Sequence, residues 1–170
     1  NIYEVGTYDT HEDVRDVTIE GSTAYIATGQ SIAIIDISDL SNPYELSSLE
    51  LPDRSTSLAI SGNHAYVLGT STTMTIIDIS NPQSPFEANR YEAINNINEI
   101  SINDSLLLLA TSDKLEIIDI ASPADANRVS YYNNRAECVD IYRGTAYIGS
   151  AGYLRVISIL DPFNPELRGY

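Results

Sequence analysis

One short phrase recurs along the chain and constrains its fold more than any other feature. It reads AIIDISDLSNP at 33–43, TIIDISNPQSP at 75–85 and EIIDIASPADA at 116–126. Aligned on this phrase, the 170 residues divide into four units and a remnant, which span 3–43, 44–85, 86–126, 127–165 and 166–170. A period of about 40 residues is typical of repeat folds in which each repeat forms one small sheet.

Each unit is predicted to form four short strands. Its runs are rich in Ile, Val, Tyr and Thr and are separated by Gly, Asn, Asp and Pro, as expected for strands joined by turns. The phrase is the fourth strand, and Ile34, Ile35 and Ile37 make it apolar on both faces, so it needs cover on both sides. Radially stacked sheets provide that cover. The predicted fold class is all-β, with four β-propeller-type blades of four antiparallel strands in a single domain over 1–170.

The aspartate of the phrase is predicted to be structural. Asp36, Asp78 and Asp119 stand immediately before a turn, where a carboxylate can accept hydrogen bonds from unpaired backbone N–H groups. One carboxylate per blade supplies too few oxygens for calcium. His11, next to Glu12 and Asp13, matches no standard metal loop and is read as part of a solvated acidic loop. No metal and no cofactor are predicted.

The two ends of the chain offer the same strand twice. EVGTY (Glu4 to Tyr8) and ELRGY (Glu166 to Tyr170) both match the first strand of a unit, which is predicted to be the outer strand of the preceding blade, and both cannot fill one place. If the ring closes within the chain, one strand is surplus and the protein is a monomer. If it does not, an unpaired edge invites strand addition from another molecule.

We expect the second case, a homo-oligomer that forms a ring or a filament. Deleting Asn1 to Tyr8 is then expected to abolish assembly and to leave the blades folded. The predicted interface residues are Tyr3, Glu4, Val5, Gly6, Thr7, Tyr8, Glu166, Leu167, Arg168, Gly169 and Tyr170.

The phrase IIDIS followed by NP, with GSTAYI or GNHAYV upstream, resembles the LVIVD repeat of bacterial and archaeal surface or secreted proteins. The resemblance covers essentially the whole chain, although Ser158 replaces the aspartate in the fourth unit. It implies a β-propeller and an extracellular or cell-surface module with a structural or adhesive role. A carbohydrate or another surface protein is the alternative kind of partner.

Loops that enter the inner strands of a propeller converge around its axis. In one register they present Asp13, Arg54, Asn96 and Arg135. In a closed ring of four blades, Arg54 and Arg135 would face each other and could hold a small anion or an acidic sugar. Salt bridges that close the opening are the structural alternative.

Composition and motifs argue against several other functions. The formal charge of −15 repels nucleic acid, and no run approaches the roughly 20 apolar residues of a membrane span. With two histidines and no G-x-S-x-G motif, the chain is not predicted to be an enzyme. A propeller hydrolase or lyase is a second alternative that rests on fold alone.

The sequence also makes predictions about its single cysteine, one asparagine and the tyrosines. Cys138, in an inner strand, is expected to be a small core residue. Asn103 begins a possible glycosylation sequon, Asn103-Asp104-Ser105, in a turn. Tyrosines are expected to repeat in register, at Tyr25, Tyr66 and Tyr147 in the third strand and at Tyr8, Tyr91, Tyr132 and Tyr170 in the outer strand.

Overall fold

The structure, a computed structural model, describes residues Ile2 to Gly169. They form four antiparallel sheets of four strands, here called blades 1 to 4 in chain order. A single 3-10 turn, Pro123–Asp125, is the only helical segment within these residues. The predicted fold class is therefore confirmed.

The strands follow one another in sequence order within every blade. Blade 1 contains β1 (Asp16–Glu20), β2 (Thr23–Ala27), β3 (Ser31–Asp36) and β4 (Tyr44–Glu50). Blade 2 contains β5 (Ser55–Ser61), β6 (His64–Gly69), β7 (Thr73–Asp78) and β8 (Phe86–Glu92). Blade 3 contains β9 (Ile97–Asn103), β10 (Leu106–Thr111), β11 (Leu115–Asp119) and β12 (Asn127–Tyr132). Blade 4 contains β13 (Cys138–Tyr142), β14 (Thr145–Ser150), β15 (Tyr153–Ser158) and β16 (Glu166–Gly169).

Each blade takes its outer strand from the next sequence unit. The strand that opens the unit at 44–85, β4, pairs with β3 of blade 1, and β8 and β12 do the same for blades 2 and 3. The remnant 166–170 supplies β16, which pairs with β15. The repeat of the sequence and the blade of the structure are thus offset by one strand, as predicted.

The register of β16 differs by one residue from the sequence match. Glu166 pairs with Ser158 as Tyr44 pairs with Asp36, and Gly169 pairs with Val156 as Ser47 pairs with Ile34. Glu166 therefore corresponds to Tyr44 and not to Glu45. In both cases a proline, Pro165 or Pro43, immediately precedes the first paired residue. The expected match of Tyr170 with Tyr91 no longer follows, and Tyr170 lies outside the described residues.

Three apolar cores fill the junctions between consecutive blades. The core of blades 1 and 2 contains Ile34 and Val67, that of blades 2 and 3 Ile76 and Leu109, and that of blades 3 and 4 Ile117 and Ile148, all almost fully buried. Neighbouring isoleucines of the phrase point to opposite faces, and both are buried, as with Ile34 and Ile35. In blades 1 to 3 the recurring phrase is the strand that is buried on both sides.

The aspartates of the phrase serve the turns that follow it, as predicted. The carboxylate of Asp36 accepts the backbone N–H of Ser38 at 2.8 Å, and Asp78 accepts that of Ser80 at 2.9 Å. Asp119 accepts the N–H of Ala121 at 2.9 Å. These bonds satisfy amides that the bending chain leaves outside the ladder.

Candidate functional site

The face of blade 4 that points away from blade 3 carries apolar side chains without cover. Leu154 is 59% exposed. Its register partner is Gly149, and the residues at the corresponding position of blades 1 to 3 are Ile32, Met74 and Leu115, each 0% exposed. Blade 4 therefore presents the same surface that the other three blades bury against a following blade.

The opposite face of the array, on blade 1, is also open. Val17 is 54% exposed and Ile19 is 62% exposed. At the position of Val17, blades 2 and 4 have Leu58 and Val139, which are only 4% and 6% exposed because the preceding blade covers them. Within Ile2 to Gly169, none of the apolar cores joins blade 4 to blade 1.

A polar contact also repeats at two of the junctions between blades, and blade 4 lacks the acceptor for it. Asp16 of blade 1 accepts the N–H of Leu58 at 2.9 Å, and Glu99 of blade 3 accepts the N–H of Val139 at 2.7 Å. Cys138 occupies the corresponding position of blade 4 and is exposed. The prediction of a core cysteine was therefore wrong, because no sheet of the described chain covers this face.

The N-terminal segment, Tyr3 to Tyr8, contacts the outer part of the open face of blade 1 through Gly6 and Tyr8. It forms no strand within this chain, and its predicted pairing with a blade of another copy stays a prediction. The Tyr8 ring packs on a small cluster formed by Ala24, Ala33 and Ile35. The Tyr8 hydroxyl donates to Glu45 at 2.6 Å, and this bond is the main reason that the pKa of Tyr8 rises to about 12.

The place of this segment is nevertheless that of an outer strand. At internal junctions, an outer-strand side chain donates to a loop carbonyl of the following blade. Ser47 donates to Pro82 O at 2.6 Å, Asn89 donates to Pro123 O at 3.3 Å, and Ser130 donates to Pro162 O. Gly6 takes this position, so close to the carbonyl of Leu40 that a Cβ atom would overlap it.

The residues predicted to line an axial opening are only partly brought together. Asp13 and Arg54 line one open pocket of about 420 Å³ with Glu12, Gly29 and Gln30. Asn96 and Arg135 are not part of that lining, and Arg135 pairs with Glu137 at 3.1 Å. Because blade 4 does not close onto blade 1 in one chain, the predicted opposition of Arg54 and Arg135 is not formed.

The remaining candidate residues lie at the surface. His11 is exposed and its Nδ1 lies 3.2 Å from Asp9. Asn103 is exposed at the end of β9, where the sequon prediction requires it to be, and its glycosylation stays a prediction. Among the described residues, no group of three or more His, Cys, Asp or Glu side chains is arranged to hold a metal. No helix in this part of the chain is long and apolar enough to cross a membrane.

A buried carboxylate escaped the sequence analysis. Glu116 has a fully buried side chain, which accepts hydrogen bonds from the Tyr91 hydroxyl at 2.6 Å and the Ile94 N–H at 2.7 Å. Arg128 lies 3.2 Å away and completes the cluster. The sequence does indicate this site: the third unit has the charged residue Glu116 in LEII, where the first two units have the uncharged sequences IAII and MTII. The cluster joins blade 2 to blade 3 and is structural.

Comparison with known proteins agrees with this architecture. The LVIVD repeat matches the chain twice, over residues 12–50 and 54–93. No curated protein matches the sequence.

Three solved structures illustrate the structural similarity. The computationally designed Ika4 protein is 10% identical, with a TM-score of 0.72, and the match covers 94% of this chain and 99% of that one. BamB from Moraxella catarrhalis is 17% identical, with a TM-score of 0.74, over 95% of this chain and 51% of that one. A functionally unknown protein from Desulfotomaculum acetoxidans DSM 771 is 14% identical, with a TM-score of 0.77, over 93% of this chain and 57% of that one.

At these identities the likeness concerns the fold alone. The chain spans nearly the whole of the designed Ika4 chain and about half the length of the two natural proteins. The repeated phrase, the four blades and the two matched repeats agree with one another. The chain contains two LVIVD repeats, over residues 12–50 and 54–93, and has the β-propeller fold.

Proposed function

We propose that this protein is a non-enzymatic structural module that assembles with further copies of itself through its two open end faces. One observation carries the proposal: Leu154 on blade 4 and Val17 on blade 1 are more than half exposed, although their counterparts at the internal junctions are buried. Burying an aliphatic side chain of this kind stabilises an interface by roughly 1.5–3 kcal/mol. Contiguous apolar faces on a soluble protein commonly mark interaction sites.

The two faces are the two halves of one kind of junction. The face of blade 4 corresponds to the faces that blades 1 to 3 turn toward the next blade, and the face of blade 1 corresponds to those turned toward the preceding blade. Contact between them is heterologous, so repeated addition closes into a ring or continues as a filament. Since one chain spans 51% of BamB, two copies would supply the length of that larger chain.

The proposed location is extracellular or at the cell surface, as the resemblance to LVIVD-repeat proteins implies. An adhesive role toward a carbohydrate or another surface protein belongs to the same proposal. The net charge of −15 favours solubility and discourages nonspecific association with polyanions.

The carboxylates with lowered pKa values do not indicate an active site. The pKa values of Asp36 and Asp78 are lowered because serine hydroxyls and amides of the following turn donate hydrogen bonds to these carboxylates. These groups hold turns and need no catalytic role.

The test is the mass of the particle by light scattering over a range of protein concentrations. We expect the wild-type mass to rise above that of the 18.6 kDa chain. Leu154→Asp should reduce it to that of a monomer, because a carboxylate would be buried without a partner. Leu160→Asp is the matched control, since Leu160 is 78% exposed in the loop after β15. A wild-type protein that stays monomeric at every concentration, or two variants that behave alike, would contradict the proposal.

A further inference from the structure

The outer part of blade 1 forms a binding place for an outer strand, here called the strand seat. It consists of the carbonyl of Leu40, the buried side chains of Ala33 and Ile35, and the carboxylate of Glu45. The N-terminal segment, Tyr3 to Tyr8, occupies it within the same chain. The repeated contacts of Ser47, Asn89 and Ser130 show that such a seat on blades 2, 3 and 4 receives the outer strand of the preceding blade.

A second copy docked by blade 4 would bring its own outer strand, β16, to the same seat. The register places Gly169 of β16 at the position of Ser47, and Gly6 of the N-terminal segment lies at that position already. Both backbones would therefore meet the carbonyl of Leu40. Two chains cannot occupy one volume, so one of the two strands must leave for the copies to join.

The contacts favour release of the N-terminal segment. β16 is held by ladder pairing to Val156, Ile157 and Ser158 of its own blade. The described part of the N-terminal segment forms no ladder and is held by the Tyr8 side chain, through one hydrogen bond and its ring. Several cooperative backbone bonds outweigh one exposed side-chain bond.

We propose that the strand seat of blade 1 binds strand β16 of a second copy, and that the chain's own N-terminal segment is released when it does. This inference rests on the proposed self-assembly and identifies its partner surface. The segment is then a competitor that lowers the apparent affinity by keeping the seat filled. The sequence alone predicts the opposite effect of removing this segment on assembly, because it treats the segment as the strand that joins the copies.

The first experiment measures the association constant of the full chain and of a variant that lacks residues 1–8 by sedimentation equilibrium. Removal of the competitor should strengthen association by about tenfold, the factor expected when the segment leaves the seat open about one-tenth of the time. Gly6→Ala tests the same point without shortening the chain, because its Cβ would overlap the Leu40 carbonyl and should expel the segment. Thr7→Ala, at the next and exposed position, is the control and should associate like wild type.

The second experiment adds a donor to β16. Gly169→Ser gives this strand the hydroxyl that Ser47 and Ser130 use at internal junctions. A Cβ at Gly169 meets no atom within 4 Å, so the single chain should tolerate it. One new hydrogen bond to the Leu40 carbonyl of the second copy should tighten association by about fivefold.

The outcomes separate this inference from the proposed function. If the chain lacking residues 1–8 and Gly6→Ala associate more weakly than wild type, the N-terminal segment is itself the joining strand, and the inference is wrong although self-assembly stands. If Gly169→Ser has no effect on an assembly that does form, β16 does not reach the seat, and the inference is also wrong. If no variant associates at any concentration, both the inference and the proposed function fail.

Discussion

Replacing Glu116 by alanine should destabilise the protein strongly. The carboxylate is fully buried between blades 2 and 3, where it accepts the Tyr91 hydroxyl at 2.6 Å and the Ile94 N–H at 2.7 Å. Burial of Tyr91, followed by its hydrogen bond to Glu116, raises the pKa of that tyrosine, so it remains a hydrogen-bond donor at neutral pH. Alanine would remove the acceptor and leave both donors in place.

The size of the destabilisation depends on whether each hydrogen-bond donor can find another partner. A buried polar group left without a partner costs about 1–3 kcal/mol. The Tyr91 side chain is enclosed and should incur most of this cost, whereas Ile94 is 42% exposed and its amide can regain water. Arg128 is 35% exposed and can turn toward solvent. The expected total is about 2–4 kcal/mol, which lowers Tm by about 5–15 °C for a domain of this size.

Thermal and urea unfolding, followed by circular dichroism, would measure this loss. Glu87→Ala is the matched control, because Glu87 pairs with Arg90 at 2.7 Å but is 37% exposed, and such surface pairs contribute about 0–1 kcal/mol. Glu116→Gln keeps an acceptor for the Ile94 amide and should lie between the two. A Glu116→Ala variant within about 1 kcal/mol of wild type, or one no less stable than Glu87→Ala, would refute the reasoning.

Two further predictions concern the end faces and the turns. Because Asp16 meets Leu58 and Glu99 meets Val139 at internal junctions, Cys138 should lie beside position 17 of a second copy. Val17→Cys should then give disulfide-linked oligomers under mild oxidation, and the same substitution combined with Cys138→Ser should give none. Hydrogen bonds from the Ser80 hydroxyl, and then its amide, lower the pKa of Asp78 in the folded state. The stability that this carboxylate adds over Asp78→Asn is therefore present at neutral pH and lost as the pH falls below the ordinary aspartate pKa of 3.8; a difference in urea midpoint that does not change with pH would contradict this.

The blades could be predicted from the sequence because their causes are local. Apolar residues at 34, 35 and 37 in one strand require cover on both faces, and the aspartate and prolines that follow define the turn. The same pattern returns about every 40 residues, so a wrong strand assignment in one unit would disagree with the other units. The outer strand borrowed from the next unit was predictable for the same reason.

The end faces could not be predicted because burial there depends on what lies beyond the last sheet. Cys138 occupies an inner-strand position whose counterparts contact a following blade, and nothing near it in sequence indicates that this blade is missing from the described chain. The register of β16 was misjudged because glutamate at 166 resembles glutamate at 45, whereas the ladder aligns Glu166 with Tyr44. Glu116 was missed because its partners are 22 and 25 residues away.

The offset between unit and blade also affects how such a chain can change its length. A gene segment that encodes one unit carries three strands of one blade and the outer strand of the blade before it. Recombination that inserts or removes a whole unit therefore rejoins an outer strand with a blade of the same design, and every interior junction keeps its usual contacts. Blade number can then vary among descendants by duplication and loss of single units, without a new core having to arise.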